Sequence, residues 1–319
     1  TQIARAVKKI QAQSRFALTG TPVENRLGEL WSIFDYLMPG FLYSYRKFRT
    51  VYEIPVVREG NCEKMEQLRR MIRPFVLRRM KKDVLRDLPD KLEEIVYSAC
   101  GEKQKILYHA EALNLKKRLE REESGKLEIL SQITRLRQLC CDPSLCYENY
   151  DGGSAKLETC VSLLRAASEA GHKILVFSQF ASMLEIIAQR LEKEGIGFYI
   201  FTGSTSKEKR NILIKSFEQD EVPVFLISLK AGGTGLNLTA ADVVIHYEPW
   251  WNVAAQNQAT DRAYRIGQKR TVTVYRLVMK GTIEENILKL QESKRFIADQ
   301  IVTEGMVSPG ELSREELLE

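Results

Sequence analysis

Two hydrophobic rhythms divide the chain. Up to about residue 150, apolar positions recur every three or four residues, the period of an amphipathic helix. The N-terminal stretch reads as a helix, a short apolar run Arg15-Phe16-Ala17-Leu18, and a polar turn Thr19-Gly20-Thr21-Pro22. A second helix runs from Leu27 to about Met38, where Pro39-Gly40 stops it. Between Glu63 and Val84, Leu68, Met71, Ile72, Phe75 and Val76 keep helical spacing among many Arg and Lys. The segment Leu92–Ala99 alternates and predicts one strand. Long charged helices fill Gln104–Cys141, and the nearly all-charged tract Lys116–Lys126 predicts an exposed helix face or a hairpin tip.

Beyond the linker Asp151-Gly152-Gly153-Ser154 the rhythm changes. Apolar runs at Lys173–Phe177, Phe198–Phe201, Val224–Ser228, Val243–Tyr247 and Val272–Val278 alternate with helical patterns starting at Ser154, Ala181, Ser206 and Trp251. Strands apolar throughout, alternating with helices, predict a parallel sheet covered on both faces, with right-handed crossovers. Ligands of such sheets sit at the carboxyl ends of the strands. The tail holds Ser308-Pro309-Gly310 and then an acidic helical pattern.

Composition narrows the class. With 319 residues, 44% hydrophobic and 28% charged, the chain is ordinary globular material of about two domains. No run approaches the roughly 18 apolar residues of a membrane span, and the N-terminus lacks the apolar stretch of a secretory signal. It also lacks an initiator Met, which leads to the expectation of an internal fragment. The net charge of +6 permits a polyanionic partner without requiring one. Six Cys are too sparse for a disulfide scaffold, which predicts an intracellular, reducing setting. Cys140, Cys141 and Cys146 cluster, but with no C-x-x-C pair and no nearby His they read as buried helical thiols rather than a zinc site.

Candidate chemistry lies after the strand Val224–Ser228. Gly232, Gly233 and Gly235 follow a strand end, where they make either a tight turn or a loop whose N–H groups approach a phosphate. A dinucleotide fingerprint fails there, because Leu238 occupies its third glycine position. Arg262 and Arg265 are three apart and would share one helix face. That face is either solvated or a polyphosphate clamp, since guanidinium groups stay charged and donate in pairs. His246 falls in a buried strand pattern and reads as a core residue.

Several motifs then resemble one family in its own order. Ala17-Leu18-Thr19-Gly20-Thr21-Pro22-Val23-Glu24-Asn25 resembles motif III (LTGTPxxN) of the SWI2/SNF2 group of helicase-like ATPases. Arg73–Arg79 resembles its PFxLRR block, Lys173–Phe180 its motif IV, and Thr202-Gly203-Ser204 the short motif that follows. Ile227–Arg270 resembles motifs V and VI, with Asp261–Gln268 close to the DRAHRIGQ signature. The resemblance covers nearly the whole chain. It implies an α/β fold: a RecA-like parallel-sheet lobe 2 (151–300) and a tail (301–319), preceded by the end of lobe 1 (1–40) and a mostly helical SNF2-type insertion (41–150).

The same resemblance implies a function. The family's P-loop and acidic Mg²⁺ motif do not occur in this sequence. The chain is thus expected to be the C-terminal part of an ATP-dependent double-stranded DNA translocase, and inactive as an ATPase without lobe 1. Arg262 and Arg265 would be arginine fingers. Gly233, Gly235, Asn237, Gln258 and Asp261 would lie by the nucleotide. Ser178, Gln179, Thr202, Ser204, Ser228, Lys230 and Trp251 would contact DNA, with core packing the alternative for Trp250 and Trp251. Arg78, Arg79, Lys81 and Lys82 are further candidates for the far strand, with a solvated helix face the alternative. ATP and Mg²⁺ would be held mainly by lobe 1, and the partners would be double-stranded DNA, lobe 1 and a DNA-bound protein cargo. The other reading is a non-catalytic DNA-binding or protein-docking module; an RNA helicase would share the two-lobe fold.

Overall fold

The structure, a computed structural model, describes residues 2–19, 27–77, 88–120, 125–229, 231 and 236–299. They form two compact units, one built mainly from the residues before 80 and the other mainly from residues 80–251 and 255–289.

The first unit is helical. Leu27–Leu37 carries Leu27, Leu30 and Phe34 on one face, and these pack with Phe48, Tyr52, Met65 and Leu68 in a single apolar cluster. The helix Cys62–Ile72 starts at Asn61, whose side chain accepts the Lys64 N–H. It ends sooner than the spacing predicts: a short 3-10 turn Arg73–Phe75 replaces it. Pro74 has no N–H to continue the helical ladder, and its ring crowds the preceding turn. Residues 20–26, which include Gly20–Asn25 of the motif III resemblance, residues 78–87 with Arg78, Arg79, Lys81 and Lys82, and the tail 301–319 lie outside the described residues.

The second unit holds a six-stranded sheet with every pairing parallel. Its strands are β1 (Lys91–Ser98), β2 (Ile174–Ser178), β3 (Phe198–Phe201), β4 (Val224–Ser228), β5 (Val243–His246) and β6 (Val272–Met279), in the order β1-β6-β5-β2-β4-β3. β2, β4 and β5 are buried along their whole length, as uninterrupted apolar runs require. Ile174 and Val176 face the helices Ala155–Glu169 and Ala181–Lys193; Leu175 and Phe177 face Phe217 of Lys207–Gln219. The strand order turns back around β2, so the ends of β2, β4 and β5 border the switch point where such sheets bind ligands.

One boundary differs from the compositional one. The strand at 91–98, which sequence texture puts in the helical stretch 41–150, is the edge of this sheet, paired with β6 from Lys91↔Val272 to Ser98↔Met279. The helices Glu102–Glu120 and Lys126–Cys141 also pack in this unit, burying Leu115, Leu136 and Leu139 together with Met279. Cys140, Cys141 and Cys160 are buried, as expected of free thiols, but Cys62 is exposed because it opens a surface helix. Among the described residues no helix is long and apolar enough to cross a membrane.

Candidate functional site

The carboxyl ends of β2 and β4 lie side by side, with Ser178 opposite Ser228 and the Leu229 N–H donating to the Ser178 carbonyl at 2.9 Å. Two residues past β5, Glu248 turns back under this edge. Its carboxylate accepts the Ser178 hydroxyl at 2.9 Å and the Gln179 backbone N–H at 2.5 Å. Full burial pushes the Glu248 carboxyl up to about 7, against the opposing pull of Arg137 and the Gln179 N–H.

Arg137 reaches this place from the helix Lys126–Cys141. Its Nη1 donates to Gln179 Oε1 at 2.7 Å and its Nη2 to the Pro249 carbonyl at 3.0 Å. The guanidinium stands 5.5 Å from the Phe180 ring centroid, 5.3 Å from that of Trp250 and 5.9 Å from that of Trp251. So Ser178 is buried with its hydroxyl bonded inside the protein, and Trp251 is half-buried against a cation.

The second feature is a turn. The helix Val253–Thr260 ends before the two arginines, so they do not share a helix face as their spacing predicts. Instead Asp261–Gly267 runs through tight turns: the Arg262 N–H bonds the Ala259 carbonyl, Ala263 bonds Thr260, and Gln268 bonds Arg265, at 3.0–3.1 Å. Tertiary bonds impose this path. The Arg262 carbonyl accepts the Leu238 N–H at 3.0 Å, and Thr260 Oγ1 meets His246 Nε2 at 2.8 Å. Gln268 ties the exit. Its Nε2 donates to the carbonyls of Thr239, Ala241 and Ala263, and its Oε1 accepts the N–H groups of Lys269 and Arg270. Gly267 holds φ +103°, a conformation that favours glycine. His246 is the core residue the pattern predicts: it stacks on Phe177, and burial pushes it down to about 3, so it is neutral.

This turn presents two unlike arginines. Arg265 donates to the Leu236 carbonyl at 3.3 Å. Arg262 is only 7% exposed, and its Nε has no hydrogen-bond partner among the described residues. Burial and the nearby Arg265 both lower its pKa, and Asp261 opposes them. A desolvated guanidinium beside a second one has the charge and donors that suit a polyanion.

The remaining sequence-chosen residues are scattered in exposure. Asn237 and Gln258 are exposed and Asp261 is half-buried. The hydroxyls of Thr202 and Ser204 lie 2.8 Å apart at the surface. Ser228 is buried, and its Oγ accepts the Ala231 N–H. Lys230, Gly233 and Gly235 lie outside the described residues. Sequence reasoning missed Arg137, Glu248 and Gln268. A signal existed for the first: Arg137 sits four residues from both Ile133 and Cys141, on the buried helix face.

Comparison with known proteins gives this geometry a setting. The SNF2-related domain matches residues 1–145 and the helicase conserved C-terminal domain matches residues 155–267. The chain is 42% identical, over all of its length and 36% of the other's, to a putative ATP-dependent helicase/translocase of Bacillus subtilis. It spans about a third of the length of the curated relatives it matches. The Sulfolobus solfataricus SWI2/SNF2 ATPase C-terminal domain superposes with a TM-score of 0.58 at 33% identity, covering 72% of this chain and 96% of that one. The ATPase core of that organism, in complex with double-stranded DNA, gives 0.57 at 37% identity, covering 96% of this chain and 66% of that one.

Proposed function

The chain belongs to the SWI2/SNF2 family of helicase-like ATPases, and from that membership we propose that it forms the second motor lobe of an ATP-dependent double-stranded DNA translocase. In this reading the turn Asp261–Gly267 faces the ATP polyphosphate, and Arg262 and Arg265 act as arginine fingers. The observation that carries it is the buried Arg262 guanidinium with the like charge of Arg265 beside it and an Nε without an acceptor among the described residues. An anion supplies what the described residues do not.

The chemistry asked of this chain is narrow. The P-loop and acidic motif belong to the first lobe, which binds the nucleotide. Arg262 and Arg265 stabilise charge developing on the phosphoryl oxygens, an effect of roughly 10³–10⁵ in rate. Gln268, Thr260 and His246 hold the turn, so that the two guanidinium groups are preorganised. Asn237, Gln258 and Asp261 line the nucleotide side, with Gly233 and Gly235. In this reading Mg²⁺ is held by the first lobe, with its acidic motif. On the other side Gln179, Thr202, Ser204, Lys230 and Trp251, with the backbone at Ser178 and Ser228, grip the DNA backbone without reading its sequence. Nucleotide-driven closing and opening of the two lobes shifts the grip along the duplex. A DNA-bound protein is the cargo, and the setting is intracellular.

ATPase activity of the full-length protein, with and without double-stranded DNA, tests the proposal. Wild type is expected to be DNA-stimulated, and the 319-residue chain alone inactive. Arg262→Ala and Arg265→Ala are each expected to lower stimulated kcat by about 10³-fold or more while DNA binding persists. Wild-type turnover in both variants would sink the motor reading and leave the docking module.

A further inference from the structure

Two members of the proposed DNA grip, Gln179 and Trp251, follow the carboxyl ends of β2 and β5, yet the residue that organises them comes from elsewhere in the chain. Arg137 belongs to the helix Lys126–Cys141, 42 residues before Gln179 and 112 before Pro249. A guanidinium only donates, so the Gln179 atom that meets it must be the oxygen. That leaves Gln179 Nε2, which makes no hydrogen bond to any described residue and is not among the buried unpartnered atoms. Nε2 carries two N–H donors, the right kind of group for a phosphate oxygen. The Gln179 backbone is held as well, through its N–H to Glu248. Both ends of the residue are therefore fixed before any ligand arrives.

We propose that Arg137 is a positioning residue for DNA binding: it locks the Gln179 amide with its donors turned out and braces Trp250 and Trp251 behind them. The claim rests on the reading that this edge of the lobe grips DNA. Its chemistry also explains why arginine is needed. A single group must reach two acceptors, at 2.7 and 3.0 Å, while presenting a flat cationic face to three aromatic rings. A lysine ammonium is a point charge without that fork. Without the bond to Arg137, the amide is free to rotate, and half of its orientations would present the carbonyl oxygen to phosphate.

The test uses the full-length protein and a blunt 30-base-pair duplex, read by fluorescence anisotropy and by the duplex concentration that half-stimulates the ATPase. Arg137→Lys and Arg137→Met are expected to weaken duplex binding by about tenfold, the loss of one charge-assisted hydrogen bond. They should raise the half-stimulating concentration to match, while kcat at saturating duplex changes by less than about twofold. In a double-mutant cycle, Arg137→Met should add little once Gln179→Ala is present, because both act through one donor. Gln179→Glu keeps the bond to Arg137 but turns a carboxylate oxygen outward, so it should bind DNA more weakly than Gln179→Ala. That variant carries the test if the Arg137 variants fail to fold. Additive losses in the cycle, unchanged affinity in folded Arg137→Met, or wild-type affinity in Gln179→Glu would each overturn the proposal. A wild-type protein that binds no duplex at all would instead defeat the DNA reading on which it rests.

Discussion

Arg137 and Arg262 are both buried arginines in the same unit, and their surroundings are opposite. Arg137 has a side-chain oxygen, a main-chain carbonyl and three rings around it, and only its Nε is without a partner among the described residues. Arg262 has a second arginine beside it, and its Nε has no partner among the described residues. Burying a charge is expensive unless partners compensate. The first arrangement meets most of that cost within the fold, through two acceptors and three rings. The second leaves it standing, which makes sense where a ligand completes the site. If Arg262 is the catalytic cation we propose, burial alone does not separate the two kinds; the acceptors and charges around each guanidinium do.

Four measurements would break or sharpen that contrast. The largest effect is expected at a third buried cation. Lys156 bonds Glu284 at 2.6 Å with both side chains fully buried, and the same carboxylate accepts the Met279 N–H. Lys156→Met strands that carboxylate and should cost about 3–5 kcal/mol in urea unfolding, most of it recovered in Lys156→Met/Glu284→Leu. A loss below about 1 kcal/mol would contradict the idea that satisfied cations serve stability.

Arg262→Lys comes next. It keeps the charge and loses the fork, so stimulated kcat should fall by about 10²-fold with no matching loss of stability. Near-normal turnover would mean that charge alone suffices. Gln268→Ala removes five hydrogen bonds that set the path of the arginine turn. A loss of about 2 kcal/mol is expected, with stimulated kcat falling further than duplex affinity. Equal falls in both would show that Gln268 serves the whole lobe rather than the turn.

The smallest effect is a pH slope. Glu248 is raised from 4.5 to about 7 by burial, so its contribution is fully present below pH 4.5 and is lost as pH rises through about 7. His246 is lowered from 6.5 to about 3, so its contribution is present above pH 6.5 and is lost as pH falls through about 3. The two oppose each other between about pH 4.5 and 6.5. Relative to wild type, Glu248→Gln should make stability rise with pH across that window, and His246→Gln should make it fall, each by at most about 1.4 kcal/mol per pH unit. Parallel profiles for wild type and Glu248→Gln would show that the carboxyl titrates as it does in water.

The pattern of apolar runs carried the sheet. Five strands predicted from sequence lie within a residue or so of their observed bounds; β2, β4 and β5 are buried on both faces and leave the plainest mark, and the edge strand β3 is a short run of aromatic and β-branched residues. The strand at 91–98 was visible as a strand, but its partner β6 lies some 180 residues away, and nothing local encodes that pairing. The arginine pair was legible as a motif and misread as a helix. The bonds that end the helix at Thr260 come from His246, Leu238 and Gln268, which act in three dimensions. For the same reason, Ser178 gave no sign in sequence that Glu248 takes its hydroxyl. Local chemistry marked which residues matter, and long-range hydrogen bonds decided how each is presented.

The most direct test measures stability and turnover on one variant, Arg262→Met, in the full-length protein. Methionine keeps the apolar stem and removes the buried charge and its unpartnered Nε. If Arg262 is a buried cation awaiting an anion, its removal leaves the urea midpoint unchanged or higher, and DNA-stimulated kcat falls by about 10³-fold. An unfolding free energy lowered by several kcal/mol with turnover retained would make Arg262 a structural residue and contradict the account.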